Sequence, residues 1–141
     1  MTEADVASIE SELRVTLPSH YREFVLNYPN ALREAKFEYN QESAAQSLLF
    51  DDPQLVIDLN QGVRKLGLFL ADGETEPWPD KYLIIGADGG GNYWCIIRGG
   101  RSKAVWFFEH EEGVFERSSK SLEDHAKYAQ EFIEAFNRGE G

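Results

Sequence analysis

The sequence has little of what several common protein classes require. Cys95 is its single cysteine, so no internal disulfide can form, and a lone thiol is typical of a reducing compartment. Only three histidines are present, and neither they nor Cys95 show the spacing of a known metal site. No apolar run approaches the ~18 residues that a membrane-spanning helix needs. These absences disfavour disulfide-stapled, metal-dependent and membrane-spanning proteins.

Positive charge is also scarce. The chain has 14 Lys and Arg against 25 Asp and Glu, which gives a formal net charge of −11. Direct binding of nucleic acid or anionic lipid depends on Lys and Arg, so we expect neither. Residues 1–5 carry acids where a secretory signal needs a basic stretch and an apolar run. We therefore expect a cytoplasmic protein whose acidic surface attracts a basic protein partner.

The length and apolar content fit one folded unit. With 141 residues, 42% of them hydrophobic, the chain can bury one core without help from a metal or a disulfide. We predict a single domain over residues 1–141 and expect no cofactor.

Apolar residues at helical spacing predict four helices. They cover residues 3–15, a segment from Pro18 to Pro29, a segment that starts at Asp52 and Pro53, and a segment from Ser121 to Gly139. Ser, Thr or Asp, or Pro in the first turn, marks each start. In this pattern Phe24 and Phe132 lie in apolar stripes, so we expect both to be buried.

Short apolar runs predict the sheet. Residues 82–85, 93–97 and 104–108, joined by glycine-rich turns, predict a three-stranded antiparallel meander, and a further turn precedes Val114. Weaker patterns indicate short strands at residues 36–40, 47–50 and 66–70 and a loop at residues 71–80. The order predicts an α+β fold, with N-terminal helices and a C-terminal helix packed on an antiparallel or mixed sheet.

Three segments together resemble a known family. They are residues 9–24 with their Leu17-Pro18 turn, residues 82–93 with their strand, glycine turn and strand, and residues 105–111. In order and spacing they are similar to the SMI1/KNR4, or SUKH, superfamily. One turn departs from the pattern, because Asn27 to Asn30 stand where the family often has Asn-Gly-Gly.

The resemblance implies an α+β fold and, for many bacterial members, an immunity protein that binds and neutralises a toxin, often a nuclease. Fungal members are regulators of cell-wall synthesis and signalling, so a regulatory interaction module without a toxin partner is the alternative. The shared motif residues are chiefly structural, and no catalytic residue follows from them. From the residues themselves, the many paired acids leave a third hypothesis, a small hydrolase that uses two carboxylates.

Three other motifs predict ordinary structure. The glycine run at residues 86–91 leads into a strand and lacks the Lys of a phosphate loop, so we interpret it as a turn. His110-Glu111 resembles the start of a zinc-protease helix, but Val114 stands where the second histidine is needed. Cys95 lies between Trp94 and Ile96 in a predicted strand, which favours a buried, inert thiol.

Clusters of acids are the candidate partner-binding residues. In the loop at residues 71–80, Trp78 stands among acids, as an aromatic anchor ringed by charge does at an interface. Alternatively, Trp78 covers the edge of the sheet. A second acidic cluster follows the third predicted strand. The candidate residues are Asp72, Glu74, Glu76, Trp78, Asp80, Glu109, Glu111 and Glu112.

Overall fold

A computed structural model describes residues 1–70 and 72–139. The helices are α1 (Glu3–Leu13), α2 (Ser19–Leu26), α3 (Asn30–Glu34), α4 (Pro53–Leu66) and α5 (Leu122–Asn137). The strands are β1 (Leu68–Phe69), β2 (Thr75–Glu76), β3 (Tyr82–Ala87), β4 (Tyr93–Ile97), β5 (Val105–Glu109) and β6 (Val114–Ser119). The predicted α+β fold is confirmed.

The helices begin where the sequence places their caps. At α1 the Asp5 N–H donates to the Thr2 hydroxyl at 3.2 Å, and the Thr2 N–H donates to the Asp5 carboxylate at 2.8 Å. Asp52 and Ser121 accept in the same way at α4 and α5. Pro29 does not end α2, which stops at Leu26, but precedes the short helix α3, which the sequence pattern missed.

All strand pairs are antiparallel. The larger sheet has the order β3-β4-β5-β6, so the predicted meander is confirmed and β6 adds a fourth strand. β1 and β2 form a separate hairpin. This hairpin corrects two predictions, because α4 continues to Leu66 and Thr75–Glu76 pairs as a strand inside the expected loop. Ala71, the first residue of that loop, lies outside the described residues.

Two further strand predictions are wrong. At residues 36–40 only Lys36 forms an isolated bridge, because the chain reverses there and Asn40 accepts the Glu42 N–H at 3.0 Å. Residues 47–50 lie beside β3 without forming a regular strand. The Phe50 N–H donates to the Ile85 oxygen at 2.8 Å, and the Ala87 N–H donates to the Ser47 oxygen at 2.8 Å. They cover the edge of β3 as an irregular segment.

A buried side chain completes the covering of β3. The carboxamide of Asn60, on α4, donates to the Ile84 oxygen at 2.9 Å and accepts the Ile84 N–H at 2.9 Å, as a neighbouring strand would. Next along β3, the pairing of β3 with β4 shifts its register between Ile84 and Gly86. A Cβ at Gly86 would lie 2.2 Å from the Leu48 oxygen, so only glycine permits this approach.

The two faces of the larger sheet are covered differently. On one face, Trp78 packs edge-on against Tyr93, Phe108 and Phe115, with ring centroids 5.4–6.0 Å apart. On the other face, α5 packs beside β6 and brings His125 against Trp94, with ring centroids 5.2 Å apart. The buried apolar residues of the helices and the sheet form one hydrophobic cluster.

The two hydrogen bonds between the Asn60 carboxamide and Ile84, which we call the Asn60 clasp, lead to a testable prediction. We expect Asn60→Ala to lower the free energy of unfolding by about 2–5 kcal/mol, because it leaves the Ile84 N–H and C=O buried without partners. Urea unfolding measures the change. Gln61→Ala alters the next, exposed position of α4 and should stay within about 0.5 kcal/mol of wild type. A near-neutral Asn60→Ala would contradict the clasp.

The two phenylalanines expected to be buried differ in the structure. Phe24 is 8% exposed, but Phe132 is 39% exposed, because the apolar stripe of α5 is wider than the surface that covers it. We expect Phe24→Ala to cost about 3–5 kcal/mol of stability. Phe132→Ala should cost less than about 2 kcal/mol, since part of its area is already in water. Chemical denaturation that gave equal losses would contradict this ranking.

Candidate partner-binding surface

Three loops meet at one end of the larger sheet. The β3–β4 turn touches the β5–β6 turn, where the Asn92 side-chain oxygen accepts the His110 N–H at 2.9 Å. The β1–β2 hairpin lies against the same β5–β6 turn. A Cβ at Gly113 would lie 2.6 Å from Leu70 Cδ2, which shows how closely the two loops approach, and the φ of +69° favours glycine at this position.

The carboxylates on these loops form one surface, which we call the acidic end. It consists of Asp72, Glu74, Asp88, Glu109, Glu111 and Glu112. Two members support their own turns, since Glu109 accepts the N–H groups of Glu111 and Glu112 at 3.0 and 2.7 Å and Asp88 accepts that of Gly90 at 2.8 Å. Glu74, Glu111 and Glu112 are exposed, and no ion pair engages them within residues 1–70 and 72–139. They are available to a partner.

The structure brings together five of the eight predicted residues. The contact of Leu70 with Gly113 places the hairpin loop of Asp72 and Glu74 beside the turn of Glu109, Glu111 and Glu112, although the sequence has them in two separate clusters.

Glu76 and Asp80 lie elsewhere. Glu76 pairs with Leu68 at the base of the hairpin. Asp80 forms an ion pair with Arg98 at 2.7 Å, at the opposite end of the sheet, where β4 runs into the β4–β5 turn.

Trp78 is a packing residue and not an exposed anchor. Its side chain is 8% exposed, and its indole N–H donates to the Tyr82 oxygen at 2.9 Å. Of the two roles considered for it, the structure fits the covering of the sheet.

Phe69 is an exposed aromatic side chain that the sequence pattern missed. It is 61% exposed in β1, opposite Thr75 and next to the residues that reach the acidic end. β1 has only two residues, Leu68 buried and Phe69 exposed, so the alternation that marks a surface position was too short to recognise.

A second feature is an open cavity of about 880 Å³, which we call the aromatic groove. Trp94 and Phe107 form its floor, with ring centroids 5.2 Å apart. Ten large apolar side chains line it: Phe37, Leu48, Phe50, Leu55, Leu59, Trp94, Phe107, Tyr128, Phe132 and Phe136. Its lining comes from segments far apart in the chain, which explains why no local pattern predicted it.

The sequence matches a family model over most of its length. Residues 1–126 match the model of the SMI1 / KNR4 family (SUKH-1). The chain belongs to this family. No curated protein and no solved structure matches it. The matched region of this SUKH-family chain includes all six strands and every loop of the acidic end, and the family predicted from three segments is confirmed.

The single cysteine of the SUKH-family chain lies in its interior. Cys95 is fully buried, and burial raises the pKa of its thiol well above the ordinary value. Within the described ranges, no three His, Cys, Asp or Glu side chains are arranged to hold a metal ion. None of the helices described is long and apolar enough to cross a membrane.

His125 is the buried titratable group beneath the aromatic groove. It is 0% exposed, and its Nε2 lies 2.9 Å from the Leu48 oxygen, which fits a neutral imidazole that donates to a carbonyl. Burial lowers the pKa of His125 from the ordinary 6.5 to about 4. The ring therefore links α5 to the segment that covers β3.

This burial predicts a pH dependence of stability. Below pH 6.5 the unfolded chain takes up a proton that folded His125 binds only near pH 4. The free energy of unfolding should fall between those values by about 3 kcal/mol from this group and stay constant above them. Denaturant unfolding across this range compares wild type with His125→Gln, which should lack this part of the slope. Parallel profiles for the two proteins would contradict the assignment.

Proposed function

We propose that this SUKH-family protein is an immunity-type protein that binds a basic toxin domain and neutralises it by covering its active surface. A nuclease is the expected kind of toxin, because an enzyme that acts on a polyanion needs positive charge at its site. The observation that carries the proposal is the meeting of three loops, which gathers the exposed carboxylates of Glu74, Glu111 and Glu112 beside exposed Phe69. The protein needs no chemistry of its own for this task.

Charge and apolar contact have different roles in such a complex. The acidic end speeds the encounter with a basic protein, because complementary charges steer approach over about a Debye length of ~8–10 Å. Phe69 can be withdrawn from water at the centre of the contact, and desolvated aromatic anchors slow dissociation. In this way the exposed Phe69 supplies the anchor that buried Trp78 does not.

A hydrolase and a regulatory module place different demands on the acidic end. A hydrolase needs two carboxylates that converge on a substrate in a cleft, whereas Glu111 and Glu112 lie on an exposed turn and Glu109 is engaged by backbone N–H groups. A regulatory module of the same fold would use the same acidic end for a different protein. The identity of the captured partner distinguishes that module from an immunity protein.

The proposal is tested with the product of the neighbouring gene, by co-purification and by rescue of cells that express it. Changing Glu74, Glu111 and Glu112 together to Lys should lower the association rate at least tenfold and flatten its dependence on salt. Phe69→Ala should act mainly on dissociation, at a cost of about 2 kcal/mol, or about thirtyfold in affinity. Surface-immobilised binding kinetics separate the two rates.

A matched variant controls for total charge. Glu12, Glu23 and Glu131 are exposed acids outside the acidic end, and changing all three to Lys gives the same change in net charge. That control should keep nearly the wild-type association rate and protect cells. Equal effects in the two triple variants, or full protection by the first, would refute the proposed surface.

A further inference from the structure

We propose that the aromatic groove and the free edge of β6 together form a second binding site, for an extended peptide segment in which large apolar residues alternate with Lys or Arg. The inference goes beyond the proposed function, since it does not require that the partner be a toxin. It concerns a different face of the sheet, which shares only Asp88 with the acidic end.

The groove leaves large apolar side chains partly in water. Tyr128 and Phe132, on α5, are 44% and 39% exposed, and they face a floor made by Trp94 and Phe107. Exposed apolar surface that is gathered in one concave place marks an interaction site. The cavity of about 880 Å³ is large enough for several side chains of a ligand.

The edge of β6 is open, in contrast to the edge of β3. β6 is the last strand of the larger sheet and pairs with β5 alone. In the part of the chain that the structure describes, its backbone makes no other hydrogen bond to the backbone. Glu116, Arg117 and Ser118 of this strand also line the groove. A free strand edge beside an apolar groove is the arrangement used for strand addition, in which the peptide backbone gives affinity and alternate side chains give specificity.

The strand register explains why the ligand should alternate. Trp94 pairs with Phe107, and Phe107 pairs with Glu116, so these three side chains share the groove face of the sheet. Every second side chain of an added strand points to that same face. Those residues must be large and apolar to contact the aromatic floor and walls.

Charge selects the remaining residues of the ligand. Glu42, Asp88 and Glu116 line the groove against a single base, Arg117, and none of the four forms an ion pair in the described residues. A basic segment is therefore favoured, because its Lys or Arg side chains, on the face away from the groove floor, still lie within the field of these acids. A second copy of this chain is disfavoured, because it has the same net charge of −11.

The test uses the full chain and fluorescent nine-residue peptides. The probe alternates Arg with Phe or Leu. One comparator has the same composition with its apolar residues in a block, and another has Glu in place of every Arg. We expect fluorescence anisotropy to show at least tenfold weaker binding of both comparators. Equal binding of the alternating and block peptides would overturn the extended register.

Paired variants locate the site. Phe132→Ala should weaken binding of the probe at least tenfold, whereas Leu66→Ala, which truncates an exposed apolar side chain outside both the groove and the acidic end, should leave it unchanged. Glu116→Lys should weaken binding and Glu12→Lys should not. Because Glu116 is an exposed strand residue, its variant remains informative if Phe132→Ala unfolds. Equal losses within either pair would overturn the proposal.

Hydrogen exchange tests the strand addition itself. Bound probe should slow exchange of backbone amides within residues 114–119, which a helix or a small molecule in the groove would not do. Probe binding without that protection, or binding of a fatty acid such as dodecanoate together with no binding of the peptide, would overturn the proposal in favour of another occupant. Loss of toxin binding in the variants of the acidic end would leave this result unaffected, so the two proposals can fail separately.

Discussion

The structure depends on how the outer edge of β3 is closed. An edge strand presents N–H and C=O groups that are costly to bury without partners, and here α4 and residues 47–50 lie directly over them. The carboxamide of Asn60 supplies one donor and one acceptor at Ile84, and the irregular segment supplies the next pair of hydrogen bonds. Gly86 permits the close approach of the irregular segment, because any side chain there would collide with the Leu48 carbonyl. Helices and sheet are thus joined by polar contacts as well as by the apolar core.

Much of the fold could be predicted because its causes are local. The capping box of Thr2 and Asp5, the proline start of α4 and the apolar stripe of α5 act within a few residues of the chain. The meander likewise follows from alternating strands and glycine turns. Asn60 carries a recognisable sequence signal, because it is a polar residue one turn after Val56 and three residues before Val63, in a buried stripe. Such a residue must bond to something other than water.

What could not be predicted rests on contacts between distant segments. The acidic end exists because Leu70 packs on Gly113, and neither residue shows this in its local sequence. Trp78 has acids on both sides in the chain, yet its ring packs among Tyr93, Phe108 and Phe115. Its neighbours in the sequence therefore do not predict its contacts in the fold. Phe132 shows the opposite case, since a stripe of apolar residues indicates which face turns inward but not how far the covering surface extends.

The closed edge of β3 also limits what the larger sheet can assemble into. Polymerisation through sheet edges needs two unpaired strand edges on every molecule, so that each molecule can pair with two others. Among the residues described, the larger sheet has one unpaired edge, that of β6. Pairing through β6 therefore terminates after a single addition, and a filament built from such additions has no second end from which to grow.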